Sequence, residues 1–199
     1  MSHAEISAAF HDASQESQTI FRAVMQAMAQ PGRAGSLDVG FRTPAPLGPT
    51  AGAILLCLAD FETPIWLDEA LSTQERVIDF LRFHTGARLT NDPQMATLAV
   101  IADAERAPQL SAFAQGTPDY PDRSTTVIFQ VETLDGQDFR LAGPGIDGET
   151  SFGASPLPED FAQQLASNNA RFPLGVDVIL AGQNQIAALP RSTRIVEVR

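Results

Sequence analysis

Two stretches of this chain, Leu98–Ile101 and residues 125–131, are apolar almost without a break and rich in β-branched side chains. A strand with one wet face alternates apolar and polar residues. A strand that does not alternate must be covered on both faces. That requirement points to a sheet with layers packed on each side, and helical periodicity elsewhere supplies the layers. Val77, Phe80, Leu81 and His84 recur at i, i+3, i+4 and i+7, the stripe of a helix lying on a core. Phe21, Val24, Met25 and Met28 repeat the spacing in a helix expected over about 6–29, stopped by Pro31-Gly32. The reading is α/β, a mixed sheet flanked by helices, in a single domain over residues 1–199.

The other expected elements are mostly short. A strand is placed near 35–39, a proline-rich loop at 44–49, a buried helix at 51–59 and a strand at 63–67. Ser72-x-x-Glu75 has the form of a capping box heading the helix that carries the second stripe. Phe139-Arg-Leu141 reads as a strand, and Pro158 as a first helical position before Phe161 and Leu165. Residues 176–180, 186–189 and 194–198 close the chain as strands.

No lysine occurs; all thirteen cationic side chains are arginine. A Schiff base with pyridoxal phosphate and the phosphate-cradling P-loop both require lysine, so both are excluded. A formal charge of −11 argues against nucleic acid and anionic membranes as partners. No run approaches the ~18 apolar residues of a membrane span, and the N-terminus lacks a signal-peptide pattern, so a cytoplasmic location is expected. The lone Cys57, inside an apolar run, is expected to be a small core residue.

Gly143-Pro-Gly-Ile-Asp-Gly148 matches a dinucleotide fingerprint in letters only. The fingerprint needs a helix to open at its third glycine. None is expected before Pro158, so a tight turn is the better reading. His3, His11 and His84 have no metal-ligand spacing, and no metal, resident cofactor or catalytic residue is expected. Two polar clusters remain. Arg82-Phe-His-Thr85 places Arg82, His84 and Thr85 at a helix end, with His84 either a satisfied core histidine or a general base. Pro190-Arg-Ser-Thr-Arg194 gathers Arg191, Ser192, Thr193 and Arg194 between strands. It is either a phosphate- or phosphonate-binding set or a solvated turn. Asp177, an acid in an apolar strand, either faces solvent or is buried against an arginine.

Several blocks, in order, resemble the H subunit of the bacterial carbon–phosphorus lyase system. They are Phe21-Arg22 with Pro31-Gly32, Leu58-Ala-Asp60 through Leu67, Arg82-Phe-His-Thr85, Gly143-Pro-Gly-Ile146, Phe172-Pro-Leu-Gly-Val-Asp177 and Leu189-Pro-Arg-Ser-Thr193. The resemblance implies a role in phosphonate catabolism, in a core complex with the G, I and J subunits. That complex replaces the adenine of ATP with an alkylphosphonate, giving a ribose 1-phosphonate 5-triphosphate. It further implies a fold like the large domain of pyridoxal-phosphate transferases without the cofactor, able to form homodimers. Nucleosidase-like chemistry is ascribed to the I subunit and radical cleavage to the iron–sulfur J subunit, so this chain is expected to support catalysis without performing it. The alternative is an independent anion-binding protein or transferase, with an arginine-lined site at a homodimer interface.

Overall fold

The computed structural model describes Phe10 and residues 12–198; His3, His11 and the start of the expected first helix lie outside them. The first helix, α1 (Ala13–Ala29), begins where Asp12 accepts a hydrogen bond from the Gln15 N–H. Its buried residues are Ile20, Val24 and Ala27. The expected stripe is therefore rotated: Phe21 is 50% and Met25 52% exposed, because the small Ala27 takes the core position and the large side chains stand at the solvent edge. After β1 (Gly35–Ser36) comes α2 (Pro49–Leu58), which starts on a proline and buries Thr50 through Leu55. Burying a side chain such as Ile54 or Leu55 is worth about 2 kcal/mol.

The remaining elements are β2 (Ile65–Leu67), α3 (Glu69–Ser72), α4 (Glu75–Thr85), β3 (Leu89–Thr90), β4 (Leu98–Ile101), β5 (Thr126–Gln130), β6 (Thr133–Ala142), β7 (Thr150–Ser155), α5 (Phe161–Asn169), β8 (Asp177–Ala181), β9 (Gln185–Leu189) and β10 (Arg194–Val198). Seven strands form one sheet in the order β1-β9-β8-β5-β4-β2-β3. β3, β2, β4, β5 and β8 are parallel, and β9 runs against both its neighbours. A second, antiparallel sheet has the order β10-β6-β7.

The unbroken apolar strands are covered on both faces. In β4, Leu98 and Val100 pack into the cluster with α1, α2 and α4, while Ala99 and Ile101 pack into a second cluster with α5 and the small sheet. Several local expectations need correction. The Ser72-x-x-Glu75 box does not form: Ser72 ends α3, and Gln74 precedes α4 without a side-chain cap. Asp68 captures the chain first, accepting from Leu71 N, and starts a helical turn that uses up Ser72. Pro158 lies one turn ahead of α5, its carbonyl accepting from Phe161 N. The segment after Gly148, to which the sequence reading assigns no element, forms β7. There Gly153 lets the chain approach Gly136 so closely that a Cβ on Gly136 would stand 2.9 Å from the Gly153 Cα.

Candidate functional site

β8 and β9 are antiparallel neighbours with Val178 opposite Leu189, which brings Asp177 beside Arg191. The guanidinium forks onto that carboxylate: Nε donates to Oδ1 at 3.1 Å and Nη2 to Oδ2 at 2.5 Å. Nη2 also donates to Ser124 Oγ, and Nη1 to the carbonyls of Pro121 (2.6 Å) and Pro173 (3.4 Å). An arginine has five N–H donors, and these five acceptors occupy them. Both side chains are largely buried, at 13% and 17% exposure. The densest arginine–hydroxyl cluster in the sequence thus clamps three of the protein's own loops, and the arginine of its fork has no donor left over for a phosphate. Its neighbours diverge. Thr193 is 5% exposed, and its Oγ1 has no hydrogen-bond partner among the described residues. Arg194 is exposed at the head of β10.

Around this clamp, four of the sequence blocks meet. Gly32 N donates to Ala188 O. Gly143 (φ 147°) lies where a Cβ would stand 2.9 Å from Ser192 O, and Gly145 (φ 83°) where one would stand 2.2 Å from Ala29 O. The Gly143-Pro-Gly145 segment is a turn leading to β7, as its lack of a following helix requires. Its glycines permit backbone contact between the end of α1 and the β9–β10 connection.

Arg82, His84 and Thr85 share the last turn of α4 and its end. Thr85 Oγ1 donates to Leu81 O at 2.7 Å and accepts from Ala87 N at 3.0 Å, closing the helix ahead of Gly86 in the left-handed region. The His84 ring packs between Phe80 and Phe83, with centroids at 4.6 and 5.0 Å. Arg82 is exposed, near the negative end of the helix dipole. Phe83 and Phe61 are both highly exposed near this end.

The structure does not join the two clusters. α4 leads into the amino end of β3, and β9 ends beside the amino end of β8. Five strand spacings separate β3 from β9, or about 24 Å. Ligands of open α/β sheets gather at the carboxyl ends instead. Polar side chains there are structural ties that the sequence reading missed. Asp68 accepts from Ala102 N (2.7 Å) and Asp103 N (2.8 Å) as well as Leu71 N. Gln130 accepts from Gly48 N and donates to Pro46 O. An acid directly after an apolar strand and before a helix was the available signal for Asp68. Cys57 joins α2 to α1 by donating from Sγ to Ser17 O at 3.3 Å, and burial pushes its thiol pKa up. No group of three or more His, Cys, Asp or Glu among the described residues is placed to hold a metal, and none of their helices is long and apolar enough to cross a membrane.

Residues 8–196 match the family described as "Bacterial phosphonate metabolism protein (PhnH)". The alpha-D-ribose 1-methylphosphonate 5-triphosphate synthase subunit PhnH of Rhizobium meliloti (strain 1021) is 39% identical over 190 residues, covering 95% of this chain and 94% of that one. A Stutzerimonas stutzeri protein, HtxG, provisionally named a C-P lyase subunit, is 34% identical over 180 residues, covering 89% and 85%. The match runs through both core clusters and through the seam where the Pro31-Gly32, Gly143-Pro-Gly145 and Arg191 segments meet. The chain therefore belongs to the PhnH family of bacterial phosphonate metabolism proteins.

Proposed function

We propose that this chain is a subunit of the carbon–phosphorus lyase core complex in the cytoplasm. As one domain, it supports formation of ribose 1-(alkylphosphonate) 5-triphosphate from ATP and an alkylphosphonate without catalytic residues of its own. The R. meliloti relative is named a subunit of alpha-D-ribose 1-methylphosphonate 5-triphosphate synthase, which supports the reaction. The observation that carries the supporting role is the Arg191 clamp: the richest set of polar groups in the chain is spent on its own loops. The partners are the G, I and J subunits, with a homodimer when the chain is alone. Phe21, Met25, Phe61 and Phe83 are the exposed apolar side chains such an assembly would cover. Permanent interfaces of this kind bury upwards of ~2,000 Å² and are more apolar than the remaining surface. The charge of −11 sits at their rim and on the far face. The likeness to the large domain of pyridoxal-phosphate transferases belongs to the same proposal, and a seven-stranded mixed sheet between layers is compatible with it.

Co-expression with the G, I and J subunits tests the assignment. The chain should co-purify with them through a high-salt wash, since buried apolar contact is little screened. Alone, it should release no adenine from ATP in the presence of an alkylphosphonate. Robust turnover by the isolated chain, or failure to co-purify at any ionic strength, overturns the proposal. The anion-binding alternative now rests on Arg82 and Arg194, which have no ion pair among the described residues.

A further inference from the structure

The two sheets have four edge strands, β1, β3, β7 and β10. An open edge offers unpaired main-chain groups to any other extended chain, and a charge, a proline or a bulge usually blunts it. β10 carries a bulge between Ile195 and Glu197, and β7 pairs with β6 through two register shifts. β3 lies between the exposed Arg88 and Asp92-Pro93. β1 has none of these devices, since its residues are Gly35 and Ser36, both exposed. Gly35 pairs with Ile186, and Leu37 N donates to Asn184 O at 2.8 Å. Hydrogen-bonded pairs alternate along an antiparallel ladder, so Gly35 and Leu37 spend their main-chain groups on β9. Those of Ala34 and Ser36 point the other way, and neither makes a main-chain hydrogen bond outside the ladder among the described residues.

This free edge borders a groove of about 250 Å³. α1 forms the opposite wall through Ala23, Gln26, Ala27 and Gln30, at i, i+3, i+4 and i+7 on one helical face. The trench exists because Ala23, Ala27 and Gly35 are small. Leu37 is buried in the core with α1, and Gly35, two residues earlier, shares that face without a side chain. A Cβ on Gly35 would find nothing nearer than Ile186 O at 3.9 Å. The volume is below that of ordinary small-molecule pockets and suits the near face of one added strand. Arg33 is the groove's one cation, with Nη1 donating to Gln30 Oε1 at 3.1 Å and no ion pair among the described residues. No carboxylate lines the groove, in a chain of net charge −11. Arg33 also borders a second hollow with Asp147 and Glu149. That side repels an incoming acid, which leaves the β1 side for one.

We propose that β1 and α1 form a docking groove for an extended segment of another polypeptide. The segment pairs with the main chain of Ala34 and Ser36 as an eighth strand of the large sheet. It sets a small apolar side chain among Ala23, Ala27 and Gly35, and two residues along it brings a carboxylate to Arg33. In this mode main-chain pairing supplies affinity and alternate side chains supply specificity. A second copy of this chain fits less well. Residues two apart share a face, so β1 paired antiparallel with its own copy sets Arg33 against Leu37 or Val39 and offers it no carboxylate. The groove stands on the geometry of the edge and is independent of the subunit assignment above.

The test is amide hydrogen exchange, read by NMR on the full chain, with the synthetic peptide acetyl-Thr-Val-Thr-Ala-Thr-Glu-Thr-amide and with its twin carrying Gln for Glu. The Glu peptide should slow exchange at Ala34 and Ser36 by about tenfold or more. It should bind severalfold more tightly than the Gln twin, the worth of a partly exposed ion pair, and Arg33→Ala should erase that difference. Ser36→Pro removes an N–H that β9 does not use, and should abolish binding with the Tm unchanged. If Ser36→Pro disturbs the fold, Gly35→Val fills the trench where space is open and should abolish binding in its place. No binding at ~1 mM peptide, binding that leaves exchange at Ala34 and Ser36 unchanged, or equal affinity for the Gln twin overturns the proposal. Protection of those two amides that rises with chain concentration in the absence of peptide would assign the edge to a second copy, and overturns the choice of occupant.

Discussion

The end of α4 and the start of the β9–β10 connection carry nearly the same chemistry in sequence, one arginine-histidine-threonine set and one arginine-serine-threonine set. In the fold they are opposites. Arg191 turns inward, meets Asp177 and has its donors occupied by Ser124 and two proline carbonyls. Arg82 stays outside on a helix whose last turn is closed by Thr85. The difference lies in neighbouring strands, not in the residues themselves. An antiparallel partner delivers a carboxylate beside Arg191, and no carboxylate pairs with Arg82 among the described residues. A half-buried arginine needs such a partner, because leaving one charge of the pair unmatched is far more costly than either arrangement.

The strongest way to break this contrast is Arg191→Ala. It strands the Asp177 carboxylate at 17% exposure and frees three loops at once. The expected loss is about 3 kcal/mol or more, which lowers Tm by roughly 6–12 °C in a chain of this size. Arg191→Lys should recover little, since a point charge cannot reproduce the two-pronged contact. Denaturant unfolding of the three proteins decides it. A variant within ~0.5 kcal/mol of the parent means the cluster is a solvated turn after all.

The same contrast explains which parts of the molecule were legible in sequence. Strands β4 and β5 and the Val77, Phe80 and Leu81 stripe were readable because burial on two faces or on one helical stripe leaves a periodic trace. Asp177 was readable as an anomaly, an acid among apolar residues. Its partner was not, because pairing across an antiparallel strand depends on register. The capping box at Ser72 failed for a related reason: Asp68, tied to the far end of β4, competes for the same turn through Ala102 and Asp103. Nothing in a helical spacing says whether Phe21 or the smaller Ala27 faces the sheet. Strand β7 hid because it needs small residues against Gly136, and these carry no strand preference.

A second, smaller effect tests whether the seam around Arg191 is rigid. Gly145 has φ 83°, and a Cβ there would stand 2.2 Å from Ala29 O. Gly148 has φ 68°, with nothing within 4 Å. Gly148→Ala should therefore cost only the left-handed backbone strain, about 1–2 kcal/mol. Gly145→Ala adds a backbone clash and should cost at least ~1 kcal/mol more. Matching losses in thermal unfolding would show that the end of α1 moves freely away from the turn, and that the seam is soft.

The smallest effect is the most discriminating. Arg82 is exposed and makes no ion pair among the described residues, so Arg82→Ala should leave stability within ~0.5 kcal/mol. The two clusters lie about 24 Å apart across five strand spacings and share no partner. Free energies of substitutions so separated add to within about 0.3–0.5 kcal/mol. The Arg82→Ala, Arg191→Ala double variant should then unfold with the loss of Arg191→Ala alone. In co-purification with the G, I and J subunits, Arg82→Ala should weaken capture while the isolated chain keeps its Tm, the signature of a residue that acts outside the fold. A coupling energy clearly above ~0.5 kcal/mol in the isolated chain would mean that the two ends of the sheet report to one another, and that the division between an inward and an outward cluster is wrong.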